Sequence, residues 1–463
     1  MLGIWRGRWR AGVAVAAITM ALALSGGPAS ADTLKGAMLK AYRTNPSLQA
    51  ERERQRGTDE LVPQAKSGWR PTVTARGSVD RTWQKTNDGK VLDSTSRDLT
   101  IQLSQPLFRG FKTIEGTKQA KAIVRSGQHR LVAVEGNLLL QVADSYLAVI
   151  RDRRILELRR KNVSNLQSQV NAAQARFDAG EVTRTDVTQA KARLSGAKAS
   201  MASANATLQS SMARYELQVG SPPGTLKWPG LAKLPRTLEE ALAIALRANP
   251  NILSAEETRH ASEHAIEVAK GDLLPSATIN ATQSYSYDDG GLSLFGSETT
   301  RRTTNIEGVL TVPIYEAGRV YSQVRAAKHL ESQRQLEVIA QGRSVRQAVK
   351  SSWNDLVAAR EAIAAAEAQV GASAASLDGV NQEYLVGSRS TIDVLNAEQE
   401  LVNARIGLVS AQYSHVLSSY EVQAAIGRLT ARQLALGGPY YDVEENYDNV
   451  KDKWIGTGAD TLR

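Results

Sequence analysis

The sequence predicts a mainly α-helical, internally duplicated chain whose β portion is suited to a transmembrane barrel. Three observations carry this expectation. A stretch of about 200 residues is written twice, two long proline-free tracts repeat apolar residues every seven positions, and the segment ahead of each tract alternates apolar with polar residues.

The duplication is read residue by residue. Thr33-Leu34, Ala37, Ala41, Arg43, Asn45-Pro46, Glu53, Ala65-Lys66, Pro71 and Thr74 return at a constant offset of 204 as Thr237-Leu238, Ala241, Ala245, Arg247, Asn249-Pro250, Glu257, Ala269-Lys270, Pro275 and Thr278. Beyond a loop the offset becomes 207: Pro106-Leu107-Phe108 meets Pro313-Ile314-Tyr315, and Asp186-Val187 meets Asp393-Val394. The unit is too long for a solenoid repeat, so the chain is two copies of one large supersecondary unit and its product should be pseudo-symmetric.

Residues 1–31 read as a secretory signal peptide: Arg6, Arg8 and Arg10, an apolar core from Ala11 to Leu24, and the small residues Ala29-Ser30-Ala31 before the cleavage point. The mature chain is therefore expected outside the cytoplasm. Losing those arginines lowers the formal charge from +10 to +7, an excess not gathered into one basic arm, so no nucleic-acid partner is expected. With no cysteine there is no disulfide, thiol nucleophile, zinc–thiolate site or lipidated cysteine. After Leu24 no apolar run approaches the ~18 to 20 residues of a spanning helix, so any membrane crossing must use strands. Aromatic residues make up only 5% of the chain, which suits an alanine-rich helical assembly better than a thick globular core.

Proline placement then parses the chain into a first repeat (32–219), a linker (220–236), a second repeat (237–427) and a tail (428–463). The tracts between Pro106 and Pro222 and between Pro313 and Pro439 lack proline and are free to be helical. In the second tract Leu356, Ile363, Val370, Leu377 and Tyr384 recur every seven residues, followed by Val394, Leu401, Leu408, His415 and Val422. In the first, Val187, Leu194, Met201, Leu208 and Tyr215 hold one heptad position while Ala190, Ala197, Ala204 and Ser211 hold the other, the pattern of a closely packed coiled-coil seam. Gly180 and Gly387 interrupt the tracts and can reverse the chain. Each tract, about 111–219 and 318–427, is therefore a helical hairpin with a first arm of roughly 100 Å.

Ahead of each tract the period falls to two. Ala277, Ile279, Ala281, Gln283, Tyr285 and Tyr287 alternate with small polar residues, as do Ile306, Gly308, Leu310, Val312 and Ile314, while Val73, Val79, Trp83, Leu99, Ile101 and Leu103 do so more roughly in the first copy. Each copy thus carries a β-hairpin, about 72–105 and 276–314, with an apolar face and polar loops at Lys85 to Ser96 and Asp288 to Arg301. Four strands cannot form an ordinary outer-membrane barrel of at least about eight, and a bilayer tolerates no open edge, so several chains must supply staves to one barrel. This logic permits two, three or four chains.

The Asn45-Pro46 and Asn249-Pro250 junctions, Gln105-Pro106-Leu107-Phe108 with its echo Val312-Pro313-Ile314-Tyr315, and the turn from Gly387 to Leu395 resemble TolC-type outer-membrane efflux factors. The resemblance runs from Asp32 to about Leu429 and includes the duplication. It implies a homotrimer making one 12-stranded barrel in outer-membrane lipid, continued by a long α-helical periplasmic tunnel. It also implies an equatorial belt from the linker and tail, with Pro71, Pro106, Pro275 and Pro313 at the barrel-to-tunnel joins. The implied role is an exit duct for drugs or proteins delivered by a periplasmic adaptor (membrane fusion protein) and an inner-membrane RND or ABC transporter. Family contacts carry a periplasmic gate onto Thr185, Asp186, Tyr384 and Arg389, and a carboxylate ring at the mouth onto Asp393, with Asn396 standing where the family often has a second acid. Rings of like charge favour cations, so Asn396 weakens the expected preference.

Two other readings compete. His260-Ala261-Ser262-Glu263-His264 matches the H-x-x-E-H pattern of a zinc metallopeptidase, but its repeat counterpart, Arg56 to Glu60, has no histidine and no third ligand stands out. A periplasmic coiled-coil adaptor without a pore would carry one helical hairpin rather than two hairpins each preceded by strands. The chain is therefore expected to be a channel rather than an enzyme, with no cofactor and no metal.

Overall fold

The computed structural model describes residues 33–89, 91–289 and 299–459; the signal peptide expected at 1–31 and part of the second strand loop lie outside the described residues. In chain order the first copy comprises α1 (Leu34–Thr44), α2 (Pro46–Asp59), α3 (Leu61–Lys66), β1 (Thr72–Lys85), β2 (Val91–Arg109), α4 (Lys112–Asp178) and α5 (Arg184–Val219). The second comprises α6 (Leu238–Ala248), α7 (Pro250–Lys270), β3 (Ser276–Asp288), β4 (Thr299–Thr311), α8 (Arg319–Leu385) and α9 (Thr391–Ala425), before a short α10 (Glu445–Val450) in the tail. A 3₁₀ turn precedes each hairpin, at Ser67–Trp69 and at Gly271–Leu273. The two copies correspond element for element, with α2 and α3 together matching the continuous α7, and α4 and α8 are each 67 residues long.

The Asn-Pro pairs explain how short helices extend long ones. Asn45 Oδ1 accepts from the Ser47 amide at 3.0 Å, capping α2, while its Nδ2 donates at 3.0 Å to the Gln218 carbonyl in the last turn of α5. Asn249 repeats the arrangement, accepting from Asn251 at 2.9 Å and donating to the Ala425 carbonyl of α9 at 2.9 Å. One side chain thus satisfies a free amide of one helix and a free carbonyl of another, and proline fits the first helical position because its missing donor has no partner there. The shorter arms α5 and α9 are thereby joined to α2 and α7 beside the long α4 and α8.

The main core lies at mid-length, where Tyr146 and Leu139 of α4, Tyr215 of α5 and Leu429 of the tail are fully buried. Linker and tail close over it: the Tyr146 hydroxyl donates to the Lys227 carbonyl at 2.7 Å, and the Ala431 amide to Glu135 at 2.6 Å. Arg52 lies between the rings of Tyr42 and Tyr441, 4.6 and 4.8 Å from their centroids. Farther down, the expected seam of α5 is buried at Val187, Leu194, Leu208 and Tyr215, but the line from Leu356 to Tyr384 on α8 is only half-buried. The helix α8 packs on α6, α7 and α9 and presents this stripe with part of its surface uncovered in a single chain.

The strands form one antiparallel sheet in the order β1-β2-β3-β4, with no partner on the outer edges of β1 and β4 among the described residues. Directly opposed residues share a face: Val73, Leu103, Ala281 and Ile306 lie in one row, and Gly77, Leu99, Tyr285 and Arg302 in another. The opposite face carries Thr74, Gln102, Thr282 and Asn305. Two details differ from the sequence reading. Pro106 does not end its ladder: β2 runs on to Arg109 through a bulge between Pro106 and Phe108, which returns Phe108 to the row of Ala277. The first loop is shorter than expected, since β1 reaches Lys85 and β2 resumes at Val91. Pro71 and Pro275 immediately precede β1 and β3, and Pro313 follows β4.

No described helix is long and apolar enough to cross a membrane.

Candidate functional site

The expected gate positions all lie at the end of the helical hairpins farthest from the sheet. Here α4 and α8 terminate alike. Gly180 and Gly387 have φ of +79° and +80°, and the amides of Glu181 and Ser388 return to the carbonyls of Arg176 and Glu383, each at 2.9 Å. This left-handed closure reverses the chain and favours glycine.

The next helix in each copy starts with a reciprocal cap. Asp186 accepts from the Thr183 amide at 2.9 Å and hydroxyl at 2.7 Å, while the Thr183 hydroxyl oxygen accepts from the Asp186 amide at 3.3 Å. Asp393 accepts likewise from the Ser390 amide at 3.0 Å and hydroxyl at 2.6 Å. The Ser390 hydroxyl, then its amide, with nearby Arg389, hold the Asp393 carboxyl below the usual carboxylate range. Thr185 stands exposed on the first turn of α5.

Between the hairpins, Arg176 of α4 donates from Nη1 to the Tyr384 hydroxyl of α8 at 2.5 Å, its guanidinium 4.9 Å from the ring centroid. The Tyr384 and Thr391 hydroxyls lie 3.4 Å apart. Arg389 pairs with Glu383 at 2.6 Å within its own hairpin. Within one chain neither Thr185 nor Asp186 meets Tyr384 or Arg389 among the described contacts; the acids cap helices and the cation that meets Tyr384 is Arg176. A further link joins Arg193 Nη2 of α5 to Asn396 Oδ1 of α9 at 2.8 Å, and Leu395 of α9 packs among Leu166, Val170, Val187, Ala190 and Leu194.

Sequence reasoning passed over Arg176, Glu383 and Arg193. A signal for the first two was present, because Arg176-Phe177 and Glu383-Tyr384 occupy equivalent places at the offset of 207 with opposite charges and a phenol replacing a phenyl. This arrangement can hold two hairpins together through breakable polar contacts.

The H-x-x-E-H residues are not gathered as ligands. His260 pairs with Glu263 and His264 with Glu115 of α4, each at 2.8 Å, and no cluster of three metal-ligating residues occurs among the described residues.

The sequence pattern of outer membrane efflux proteins matches residues 39–220 and 241–428, one match for each copy. The chain is 39% identical to outer membrane efflux protein BepC of Brucella suis biovar 1 (strain 1330), over 96% of each protein. It is 27% identical to outer membrane protein TolC of Escherichia coli (strain K12), over 94% of this chain and 90% of TolC. The fold superposes on the Campylobacter jejuni CmeC outer membrane channel with a TM-score of 0.75 at 16% identity, covering 90% of this chain and 89% of CmeC. With its open sheet, paired long helices and duplicated pattern matched along nearly its whole length, this chain is an exit duct of the outer membrane and belongs to the outer membrane efflux protein family.

Proposed function

We propose that three copies assemble into one 12-stranded barrel and a continuous helical tunnel whose periplasmic mouth is a gate. The open four-stranded sheet carries this reading. Both of its outer strands need partners, and one face offers aliphatic and aromatic residues to lipid. The same symmetry operation brings a neighbour to the half-buried stripe on α8.

Tyr384, Arg389, Asp186 and Thr185 are the proposed gate residues, to which Arg176 is added, and Asp393 contributes a ring of acids at the mouth. A periplasmic adaptor seats on the hairpin tips and displaces their contacts. An open cleft of about 620 Å³ between α5 and α9, bordered by Gln189, Arg193, Gly196 and Ile392, offers polar and small side chains to such a partner. Cargo comes from an inner-membrane RND or ABC transporter. The resemblance to an efflux protein favours small molecules over secreted proteins as cargo.

The test is the mass of the assembly extracted from outer membranes, with its conductance in planar bilayers. A detergent-stable species of three times the mature mass that forms pores is expected, and a conducting monomer excludes the reading. In vivo crosslinking and identification of the captured transporter then separate drug efflux from protein export.

A further inference from the structure

The tail leads to a second site, at the opposite end of the helices from the gate. After Ala431 binds Glu135, the chain climbs beside α2: Asn446 Nδ2 donates to Asp59 at 2.7 Å, and Asp452 pairs with Lys66 at 2.6 Å. Arg70 then donates to the Lys453 carbonyl at 2.9 Å, with its guanidinium 4.6 Å from the Trp454 ring centroid. These contacts place Trp454 beside Trp69, whose own carbonyl accepts from Gln105 Nε2 of β2 at 3.0 Å. The pair therefore sits directly at the foot of the sheet.

Trp69 and Trp454 border an open cleft of about 540 Å³ with Ile114, Lys118 and Lys121 of α4. Trp454 remains 66% exposed and the following Ile455 89% exposed, an unfavourable display in water. The charge around the cleft is mostly cationic. Lys66 and Lys118 face Asp452 and Glu115, Arg70 also lies within the field of Asp452, and Lys121 has no acidic partner among the described contacts. Tryptophan favours the membrane–water interface, and lysine and arginine there lay their stems along apolar surface while directing charge to phosphate. The cleft lies just before β1, where the Trp69 carbonyl meets Gln105 of β2, and its cationic excess complements an anionic surface.

We propose that this cleft is a headgroup site for anionic phospholipid of the periplasmic leaflet, and that Trp454 fastens the tail to the membrane there. The proposal rests on the outer-membrane placement of the chain and is independent of the gate.

The assembled parent and Trp454→Phe are compared in nanodiscs of phosphatidylglycerol with plain or brominated acyl chains. The part of the tryptophan emission lost in the variant should fall by about half on bromination, as expected for an interfacial ring. In mixed phosphatidylglycerol–phosphatidylcholine discs, Lys118→Gln with Lys121→Gln should lower the ratio of phosphatidylglycerol to phosphatidylcholine retained on extraction about tenfold. Both variants should keep the parent's conductance and assembly, which separates this site from the gate. Emission indifferent to bromination, or an unchanged lipid ratio, overturns the proposal. So does a shift of the Trp454 emission by inorganic phosphate in detergent equal to that caused by phosphatidylglycerol, which assigns the cleft to a free anion, or an equal shift on trimer formation without lipid, which assigns it to a second copy.

Discussion

Arg176 donates to the Tyr384 hydroxyl at 2.5 Å, tying the last turn of one 67-residue helix to the last turn of its repeat counterpart. At the offset of 207 Arg176 stands where the second copy has Glu383, and Tyr384 where the first has Phe177, so the contact joins neighbouring, non-equivalent positions of the two copies. Tyr384→Phe removes the acceptor and leaves the ring beneath the guanidinium. A hydrogen bond to a charged group contributes roughly 1.5 to 3 kcal/mol, so its loss should weaken the proposed gate appreciably. Combined with Arg389→Ser, which also frees Glu383, the change should raise single-channel conductance in planar bilayers while leaving assembly intact. Unchanged conductance would mean that the closing contacts lie elsewhere.

Asp393 should remain charged in acid. Because Ser390 stabilises its ionised form, its folded-state pKa lies below the unfolded value. Its contribution to the cap is therefore complete above the ordinary carboxylate pKa of about 3.9 and is lost only as the pH falls through the lower, folded value. Cation preference measured by reversal potential should accordingly persist between pH 7 and about pH 4. Asp393→Asn should reduce that preference at neutral pH, and block by multivalent cations should weaken in parallel. Equal selectivity in parent and variant places the charge-selecting groups away from the mouth.

The strand register assigns faces that labelling can check. Ile101 opposes Gln283 and Ala75, and Leu310 opposes Ala277, on the apolar face; Gln102 and Thr311 are on the other. Cysteines at Ile101 and Leu310 should react with lipid-soluble reagents, and those at Gln102 and Thr311 with polar reagents entering the lumen. The reverse pattern would displace every strand by one residue.

Asn45 and Asn249 each serve two helix ends, so replacing either should cost more than an ordinary cap. Asn249→Ala loses the amide cap, typically about 1 kcal/mol, and also strands the Ala425 carbonyl. Asn249→Asp keeps the acceptor but loses the donor. Thermal unfolding followed by circular dichroism should rank parent above Asp above Ala. If Asp and Ala are equivalent, the carboxylate does not replace the amide cap.

Much of this molecule was legible in residue order because its devices are local. Heptad spacing predicted the buried line from Val187 to Tyr215, and Gly180 and Gly387 marked reversals that occur within single turns. The alternation at Ala277 to Tyr287 predicted a face that the register then extends across all four strands. The bulge after Pro106 was not legible, since proline there is compatible with either an ending or a displaced ladder. Nor were the Arg176–Tyr384 and Arg193–Asn396 contacts, which join residues roughly 200 positions apart in sequence.

By itself the sequence determined the period, the duplication, the turn positions and the need for a sheet shared among chains. Each follows from backbone geometry or from the bilayer's intolerance of unpaired peptide groups. Only the tertiary structure decided that Asp186 and Asp393 face their own helix amides within the chain, that Asn45 and Asn249 splice helices from opposite ends of a repeat, and that the tail rises to place Trp454 beside Trp69. The reason is that a polar side chain near a helix end has several acceptable partners of similar energy. The choice among them depends on which distant segment packing brings within about 3 Å.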